Sequence, residues 1–362
     1  MKKAVVLIAV VFALGSAVCR AAIPESPKNN AALKPLRKVK DRIVWESYRK
    51  GNWELMIMDA DGSNPRNLTN TPDINESYPQ CSPDGKLIAF ECCDNTTGAA
   101  KRIEIMNPDG TGRRRIIDNA RQMAWSPDGT RLAYCVPDPT KRAKDLSIYD
   151  LRTGTSKRWD DGKTTITLIG LDGKETRIAS SELFSLHTPA WSRDGRWIAC
   201  SIAAAMGFSQ SIILIEVDGD RVYDWLHQSH ETTGGILGCR PNFSDDGTML
   251  TWAVADMNKL MWIDTAPIDM SASVPKIGEH RHMIRCEVPE EFYHADWSPD
   301  GRFIAFTHGV RGNRMRPAYG FPGVKAPGWD ICIVDTEHPD QYTQITHDGL
   351  SNKEPDWLKS AF

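Results

Sequence analysis

Hydrophobic positions along this chain come in short runs separated by tight-turn signals, with few long amphipathic stretches. Eleven of the 27 glycines directly follow an aspartate, at positions 62, 85, 110, 129, 162, 173, 195, 219, 247, 301 and 349. Asp-Gly is favoured in hairpin turns because glycine adopts positive φ angles without steric cost. Apolar runs such as residues 87–90 and 303–306 are short enough for strands. The pattern predicts an all-β protein built of hairpins.

One unit recurs five times along the chain. It consists of an aromatic or similar residue, Ser, any residue, Asp-Gly and then an apolar strand, at 81–85, 125–129, 191–195, 243–247 and 297–301. A third strand, such as residues 54–58, often follows and turns at a second Asp-Gly into a short fourth strand. Four antiparallel strands per repeat form a propeller blade, and repeats of this length with variable loops are typical of propellers.

The two ends of the chain complement each other. Residues 43–45 read as a second strand without the preceding turn, and residues 355–357 read as a first strand with nothing after it. Pairing them makes a sixth blade and removes two free sheet edges. We therefore predict a six-bladed β-propeller of four-stranded antiparallel blades over residues 41–362, closed by the N- and C-terminal strands.

The first residues indicate export. Lys2 and Lys3 precede an apolar run over residues 4–18, which is too short to span a bilayer, and small residues follow it. We predict a signal peptide over residues 1–22, a flexible leader over 23–40, and a periplasmic or secreted protein with no transmembrane span after signal removal. Cys19 leaves a lipoprotein as the alternative.

Charge and cysteine content narrow the function classes. The formal net charge is −3, and it becomes more negative once the signal peptide is removed. A mildly acidic surface does not concentrate phosphate backbones, which argues against general nucleic-acid binding. Eight cysteines remain after Cys19, and none forms the Cys-x-x-Cys pair of a zinc site. They are expected to be mostly buried thiols, with one or two disulfides left open.

The repeated segments resemble a known family. The pattern Pro-x-Trp-Ser-Pro-Asp-Gly-x-x-Ile-Ala, together with residues 58–64 and Leu68-Thr69, resembles the propeller of TolB-type proteins. The resemblance covers residues 41–362 and implies a six-bladed propeller. TolB carries an α/β domain before its propeller, and a leader as short as residues 23–40 does not hold one. The resemblance therefore implies a propeller alone.

The connections opposite the Asp-Gly turns are long, which favours that face for binding. They comprise residues 136–144, 203–210, 227–239, 280–293 and 311–329. Aligning the first strands on their aromatic position places one residue per blade at the expected channel mouth on this face: Tyr78, Gln122, Thr188, Arg240, His294 and Glu354. Their polarity, with His187 beside them, predicts a polar ligand site. The alternative is that any polar residue serves at a solvated mouth.

The loop over residues 311–329 is the second candidate for binding. It has no acidic residue before Asp330 and combines basic with aromatic side chains: Arg311, Arg314, Arg316, Tyr319, Phe321 and Trp329. Guanidinium groups and aromatic faces suit an anionic or sugar-like ligand, or an acidic partner segment. A plain insertion with solvated charges is the other interpretation.

Metal and catalytic signals are sparse. His280 and His282 are alternate residues that could share one face of a strand. The chain is also similar to oligogalacturonate lyases, propellers whose histidines hold a divalent metal at the channel mouth. That resemblance implies Glu291, His294 and Asp296 as metal candidates. His280 and His282 are expected nearer to this cluster than His187, which lies two blades away. A lyase also needs a base, which the sequence does not assign.

These observations favour a non-catalytic function. We predict an exported, monomeric binding or scaffold propeller that recognises a protein segment or cell-envelope polymer through its long-loop face, without a cofactor. The alternative is a metal-assisted carbohydrate-active enzyme, which would require a divalent metal.

Overall fold

The computed structural model describes residues 33–138, 143–170, 172–183, 185–202, 211–224, 236–256, 260–287, 289–310, 312, 325–339 and 341–360. The predicted signal peptide and Cys19 lie outside these residues. Among the described residues, no helix is both long enough and apolar enough to cross a membrane.

The described chain forms six sheets and very little helix. A short helix, α1, spans Leu33–Leu36, and a 3-10 helix spans Ser180–Glu182. Blade 1 contains β1 (Arg42–Arg49), β2 (Asn52–Asp59), β3 (Arg66–Asn67) and the last strand, β27 (Ser351–Leu358). Blade 2 contains β4 (Ile74–Cys81), β5 (Ile88–Asp94), β6 (Arg102–Met106) and β7 (Arg114–Asp118). Blade 3 contains β8 (Arg121–Trp125), β9 (Arg131–Asp138), β10 (Ala143–Asp150) and β11 (Thr155–Arg158).

The second half of the chain is more varied. Blade 4 contains β12 (Thr165–Ile169), β13 (Glu175–Ala179), β14 (Leu186–Trp191), β15 (Trp197–Ile202), β16 (Ser211–Glu216) and β17 (Arg221–Asp224). Blade 5 contains β18 (Ile236–Phe243), β19 (Met249–Asp256), β20 (Leu260–Asp269), β21 (Lys276–Ile277) and β22 (Arg281–Glu287). Blade 6 contains β23 (Glu290–Trp297), β24 (Phe303–Val310), β25 (Asp330–Asp335) and β26 (Tyr342–Gln344).

The six sheets close into a ring. The innermost strands are β27, β4, β8, β14, β18 and β23, and each contacts the next, with β23 returning to β27. Hydrophobic clusters fill the spaces between neighbouring blades, such as the one that joins Trp197 and Leu214 of blade 4 to Trp252 of blade 5. The predicted all-β, six-bladed propeller is confirmed.

Strands from both ends of the chain share blade 1, as predicted. β1 pairs antiparallel with β27, so that Ile43 lies opposite Trp357 and Tyr48 opposite Ser351. The indole N–H of Trp45 donates to Asn352 Oδ1 at 3.0 Å, which links the two strands through side chains as well.

The recurring Ser-x-Asp-Gly turn has one geometry. In blade 6, Ser298 Oγ donates to Asp300 Oδ1 at 2.5 Å and accepts the backbone N–H of Phe303 at 2.9 Å. The glycine supplies the positive φ angle at all five turns. At Gly85 (φ +69°) it also permits a close approach, because a Cβ there would lie 2.1 Å from the carbonyl oxygen of Lys359. The motif therefore specifies the turn.

Blades 4 and 5 depart from the predicted four strands. β12 pairs parallel with β17 and antiparallel with β13, which extends blade 4 to six strands. In blade 5, β20 pairs with both β21 and β22. Residues 280–293 are therefore not the expected long loop. β22 is a strand because Met283, Ile284 and Cys286 are buried against blade 6.

The structure shows how part of the leader packs and in which state the cysteines are. Leu33 and Leu36 are buried against the cluster that contains Trp357, so residues 33–40 of the expected flexible leader pack on the propeller because they contribute apolar area to it. The eight cysteines from Cys81 to Cys332 are present as thiols, and six of them are buried.

Candidate functional site: the central channel

Each of the six inner strands contains a β-bulge, and the residue at the bulge has a left-handed backbone. These residues are Tyr78 (φ 52°), Gln122 (50°), Thr188 (44°), Arg240 (54°), His294 (54°) and Glu354 (53°). Positive φ is uncommon for residues other than glycine and is frequent at functional sites. The six residues aligned from sequence are therefore structurally equivalent.

The bulge residues lie deeper than expected. β4 begins at Ile74, so Tyr78 stands in the middle of its strand, and the same holds for His294 in β23. Tyr78, Thr188, His294 and Glu354 are all buried. These four lie inside the channel rather than at its mouth, whereas Gln122 is the second residue of β8 and is half-buried.

Side chains of the preceding blade fix the bulges. The backbone N–H of Tyr78 donates to Glu46 Oε2 at 2.9 Å, and that of Gln122 donates to Glu91 Oε1 at 2.6 Å. The other three such bonds run from Thr188 N to Gln122 Oε1 at 3.4 Å, from Arg240 N to Ser201 Oγ at 2.8 Å and from Glu354 N to Thr307 Oγ1 at 3.1 Å.

The sequence analysis did not predict these acceptors or the bulges. The bulges do have a sequence signal, which is a proline inside an inner strand at positions 79, 189, 241 and 355. Proline has no backbone N–H to donate to the neighbouring strand, so it interrupts the regular pairing.

A cavity of about 140 Å³ occupies the channel. At its inner end lie Tyr78, Thr188, Arg240 and His294 of the bulge ring. Its other lining residues lie next to the Asp-Gly turns and include Arg193, Asp245 and Lys359. The cavity therefore runs from the bulge ring toward the turn face, which is opposite to the face favoured by the loop lengths.

Three bulge residues from consecutive blades meet across the channel. Arg240 forms an ion pair with Glu354, and His294 Nδ1 lies 2.6 Å from the same carboxylate oxygen, Oε2. Burial by itself would raise the pKa of Glu354, but Arg240 and the hydrogen bond from His294 outweigh it and hold that pKa below its ordinary value. Glu354 is therefore ionised at neutral pH and accepts both hydrogen bonds.

Tyr78 completes this side of the ring. Its ring contacts His294 edge-on with centroids 5.6 Å apart, and burial raises the pKa of its phenol. Beside it, the buried Lys353 Nζ lies 3.0 Å from Glu46 Oε1 and 4.4 Å from the centroid of Trp53. The charges around the ring are thus arranged in pairs.

Two aspartates form a second level, two positions after the bulge. Asp356 accepts the backbone N–H of Cys81 at 2.8 Å and the amide of Gln80 at 2.9 Å. Asp296 likewise accepts the backbone N–H of Trp357 at 2.8 Å, as well as the amide of Asn242. Burial raises the pKa of Asp356 to about 7, and burial with the charge of Asp356 raises the pKa of Asp296.

Four tryptophans of the inner strands also line the cavity. The indole N–H of Trp125 donates to the Gln80 carbonyl at 2.9 Å, and that of Trp191 donates to the Gly195 carbonyl at 3.1 Å. The indole nitrogens of Trp297 and Trp357 are buried without a hydrogen-bond partner, and so is Nε2 of His294. These three atoms belong to two adjacent inner strands, β23 and β27.

The metal candidates do not converge. Asp296 is bonded to Asn242 and Trp357, whereas His294 is bonded to Glu354. In blade 5, His282 Nδ1 lies 2.5 Å from Asp264, and His280 contacts Trp252. Glu291 is buried three residues before the bulge residue His294, opposite Gly309. The bulge at His294 thus separates residues that are neighbours in sequence.

Among the described residues, one group of three possible ligands has atoms within 4.8 Å of one another: Asp335, Glu337 and His338. It lies in the turn after β25, away from the predicted cluster, and Arg302 already pairs with Asp335 at 2.8 Å.

The remaining predicted residues fall outside the cluster of bulge residues. His187 precedes the bulge of blade 4, and its Nε2 lies 3.4 Å from Ser185 Oγ. Trp329 is not a partner-facing residue, because it is buried against Gly309 and donates to the Val310 carbonyl at 3.0 Å. Arg311, Arg314, Arg316, Tyr319 and Phe321 lie outside the described residues.

No protein-family model matches the chain, and no curated protein matches it in sequence. Among solved structures, TolB from Acinetobacter baumannii matches with a TM-score of 0.62 and 16% identity, over 88% of this chain and 66% of that one. Hydrazine synthase from Kuenenia stuttgartiensis matches with a TM-score of 0.56 and 12% identity, over 88% of this chain and 46% of that one. An oligogalacturonate lyase in complex with manganese matches with a TM-score of 0.47 and 13% identity, over 84% of this chain and 74% of that one.

In fold, the chain is a six-bladed propeller similar to that of TolB. At this level of identity the likeness concerns the fold alone, and the chain spans just under two thirds of the Acinetobacter TolB. The resemblance to TolB-type propellers noted from the repeated turns is confirmed as a resemblance of fold.

Proposed function

We propose that this protein is an exported, non-catalytic binding propeller that takes a segment of a protein partner or envelope polymer into its central channel. The observation that carries this proposal is the ring of bulge residues. Six equivalent positions have left-handed backbones, all six have polar or phenolic side chains, and four of them line one cavity. Backbone strain repeated around a cavity is typical of a binding site.

The proposal places the contact at the turn-face half of the channel. Arg193 is exposed among the lining residues near the turns, while Arg240 and His294 lie at the inner end. A segment that entered there would meet a rigid wall, since side chains of the neighbouring blade hold five of the six bulges. Export is supported by the charged and apolar pattern of residues 1–22.

A photo-crosslinking experiment tests the site. A benzophenone amino acid replaces Arg193 near the turn face, and in a matched variant it replaces Lys174, which is exposed in the β12–β13 turn. Irradiation of the host's envelope fraction should give a defined adduct from position 193 alone. Arg240→Ala should reduce that adduct. Equal labelling from both positions, or labelling from position 174 alone, would place binding outside the channel.

A further inference from the structure

The wall formed by β23 and β27 contains unsatisfied hydrogen-bonding atoms of two kinds. The indole N–H groups of Trp297 and Trp357 are donors, and neither has a partner. Trp297, Trp357 and His294 are 6%, 5% and 6% exposed. A buried polar atom without a partner costs about 1–3 kcal/mol, so each such atom in a native protein calls for an explanation.

The geometry around His294 places a proton on Nδ1. Nδ1 lies 2.6 Å from Glu354 Oε2, and an ionised carboxylate only accepts hydrogen bonds, so Nδ1 carries a proton. Arg240 Nη1 lies 3.0 Å from Nδ1 because both groups donate to the same carboxylate oxygen. In the neutral imidazole Nε2 is therefore an acceptor.

The wall is also electrically balanced. Arg240 pairs with Glu354, and Lys359 Nζ lies 3.4 Å from Asp245 Oδ2. Asp296 and Asp356 are occupied by donors from the neighbouring strands. A ligand with a net charge would have to compete with these pairs, whereas a neutral ligand would not.

We propose that this wall binds a neutral, hydroxyl-presenting ligand of the carbohydrate class. A hydroxyl both donates and accepts, so hydroxyls can satisfy the indole N–H groups and also His294 Nε2. A carboxylate cannot donate to Nε2 of a neutral imidazole, and an ammonium group cannot accept from the indoles. This inference rests on the proposed channel function and names, within it, a carbohydrate as the ligand; a peptide in the test below represents a protein segment as the other outcome.

Isothermal titration calorimetry tests the inference with four probes of different hydrogen-bonding class: maltotriose, succinate, spermidine and a Ser/Thr-rich peptide. Trp357→Phe and Trp297→Phe each remove one free N–H while keeping an aromatic ring. Each should weaken saccharide binding about threefold to tenfold, the usual range for one net hydrogen bond. Trp159→Phe is the matched control, because Trp159 lies away from the channel and its N–H already donates to the Glu216 carbonyl at 2.6 Å. It should leave saccharide affinity unchanged.

The outcomes separate the two proposals. Binding of succinate, spermidine or the peptide without maltotriose would overturn the carbohydrate inference but keep the channel as a binding site. Absence of binding by any probe, with ordered water on all three atoms in a crystal structure, would show that water alone satisfies the wall. Failure of the crosslink from position 193 would overturn the channel function itself. If both tryptophan variants misfold, His294→Gln supplies the same comparison.

Discussion

Trp45 near the start of the described chain donates its indole N–H to Asn352 near its end, at 3.0 Å. Ser47 Oγ donates to the same amide oxygen at 2.7 Å, and Asn352 Nδ2 donates to Asp348 at 2.7 Å. One buried amide therefore joins both ends of the chain and the loop before β27. The ring is held closed here by side chains as well as by the strand ladder.

Removal of the Asn352 side chain should destabilise the propeller strongly. Asn352→Ala leaves Trp45 and Ser47 without their acceptor, at a cost of about 2–4 kcal/mol in the free energy of unfolding, since each orphaned buried donor costs about 1–3 kcal/mol. Urea denaturation measures it. Lys174→Ala, on the exposed β12–β13 turn, should change stability by less than about 0.5 kcal/mol.

Deletion of residues 354–362 should abolish the cooperative transition altogether. The deletion removes half of the β27 ladder with β1 and opens two sheet edges, which promotes aggregation. Circular dichroism melting and light scattering follow both effects. A normal melting curve for the truncated chain would contradict closure by the terminal strands.

The Ser-x-Asp-Gly turn provides a local test of the repeat. Ser298 is buried, and Ser298→Ala removes a bond to Asp300 and the acceptor for Phe303 N–H, so a loss of about 1–2 kcal/mol is expected. Ser271 makes a comparable bond to Asp269 at 2.6 Å on an exposed turn. Ser271→Ala should therefore cost clearly less in the same denaturation assay.

How much of this molecule could be predicted from sequence depends on repetition. The five turns and the two half-blades give the fold, and aligning the repeats finds the six bulge residues from Tyr78 to Glu354. The depth of those residues could not be predicted, because it depends on a bulge that the alternation of side chains does not show. β22 was not predicted because residues 280–293 were expected to form a loop. The burial of Trp329 was not predicted because it packs against Gly309, which lies about 20 residues away in β24.

The aspartates of the second level predict a pH dependence. Because the pKa of Asp356 is raised to about 7 in the folded protein, the folded chain keeps a proton that the unfolded chain releases above about pH 4. Stability should therefore fall as pH rises from about 4 to 7 and then level off. Asp356→Asn should flatten this slope, whereas Asp172→Asn on an exposed turn should leave it. Parallel slopes for wild type and Asp356→Asn would contradict the assignment.

The buried ion pair in the channel should be sensitive to loss of one partner. Glu354→Gln leaves Arg240 without its counter-charge, and breaking a buried pair in this way costs about 3–5 kcal/mol. Arg240→Met combined with Glu354→Gln should recover part of that loss in a double-mutant cycle. Strict additivity of the two single effects would show that the residues do not interact.

The central claim, that ligand binds at the channel wall of β23 and β27, is tested most directly by nuclear magnetic resonance of isotope-labelled indole groups. The chain has 12 tryptophans, each with its own N–H signal, assigned by substitution. Titration with a binding saccharide should shift the signals of Trp297 and Trp357, whose N–H groups gain a partner. The signal of Trp45, already bonded to Asn352, should stay in place. Saccharide-induced shifts that leave Trp297 and Trp357 unmoved would contradict the account.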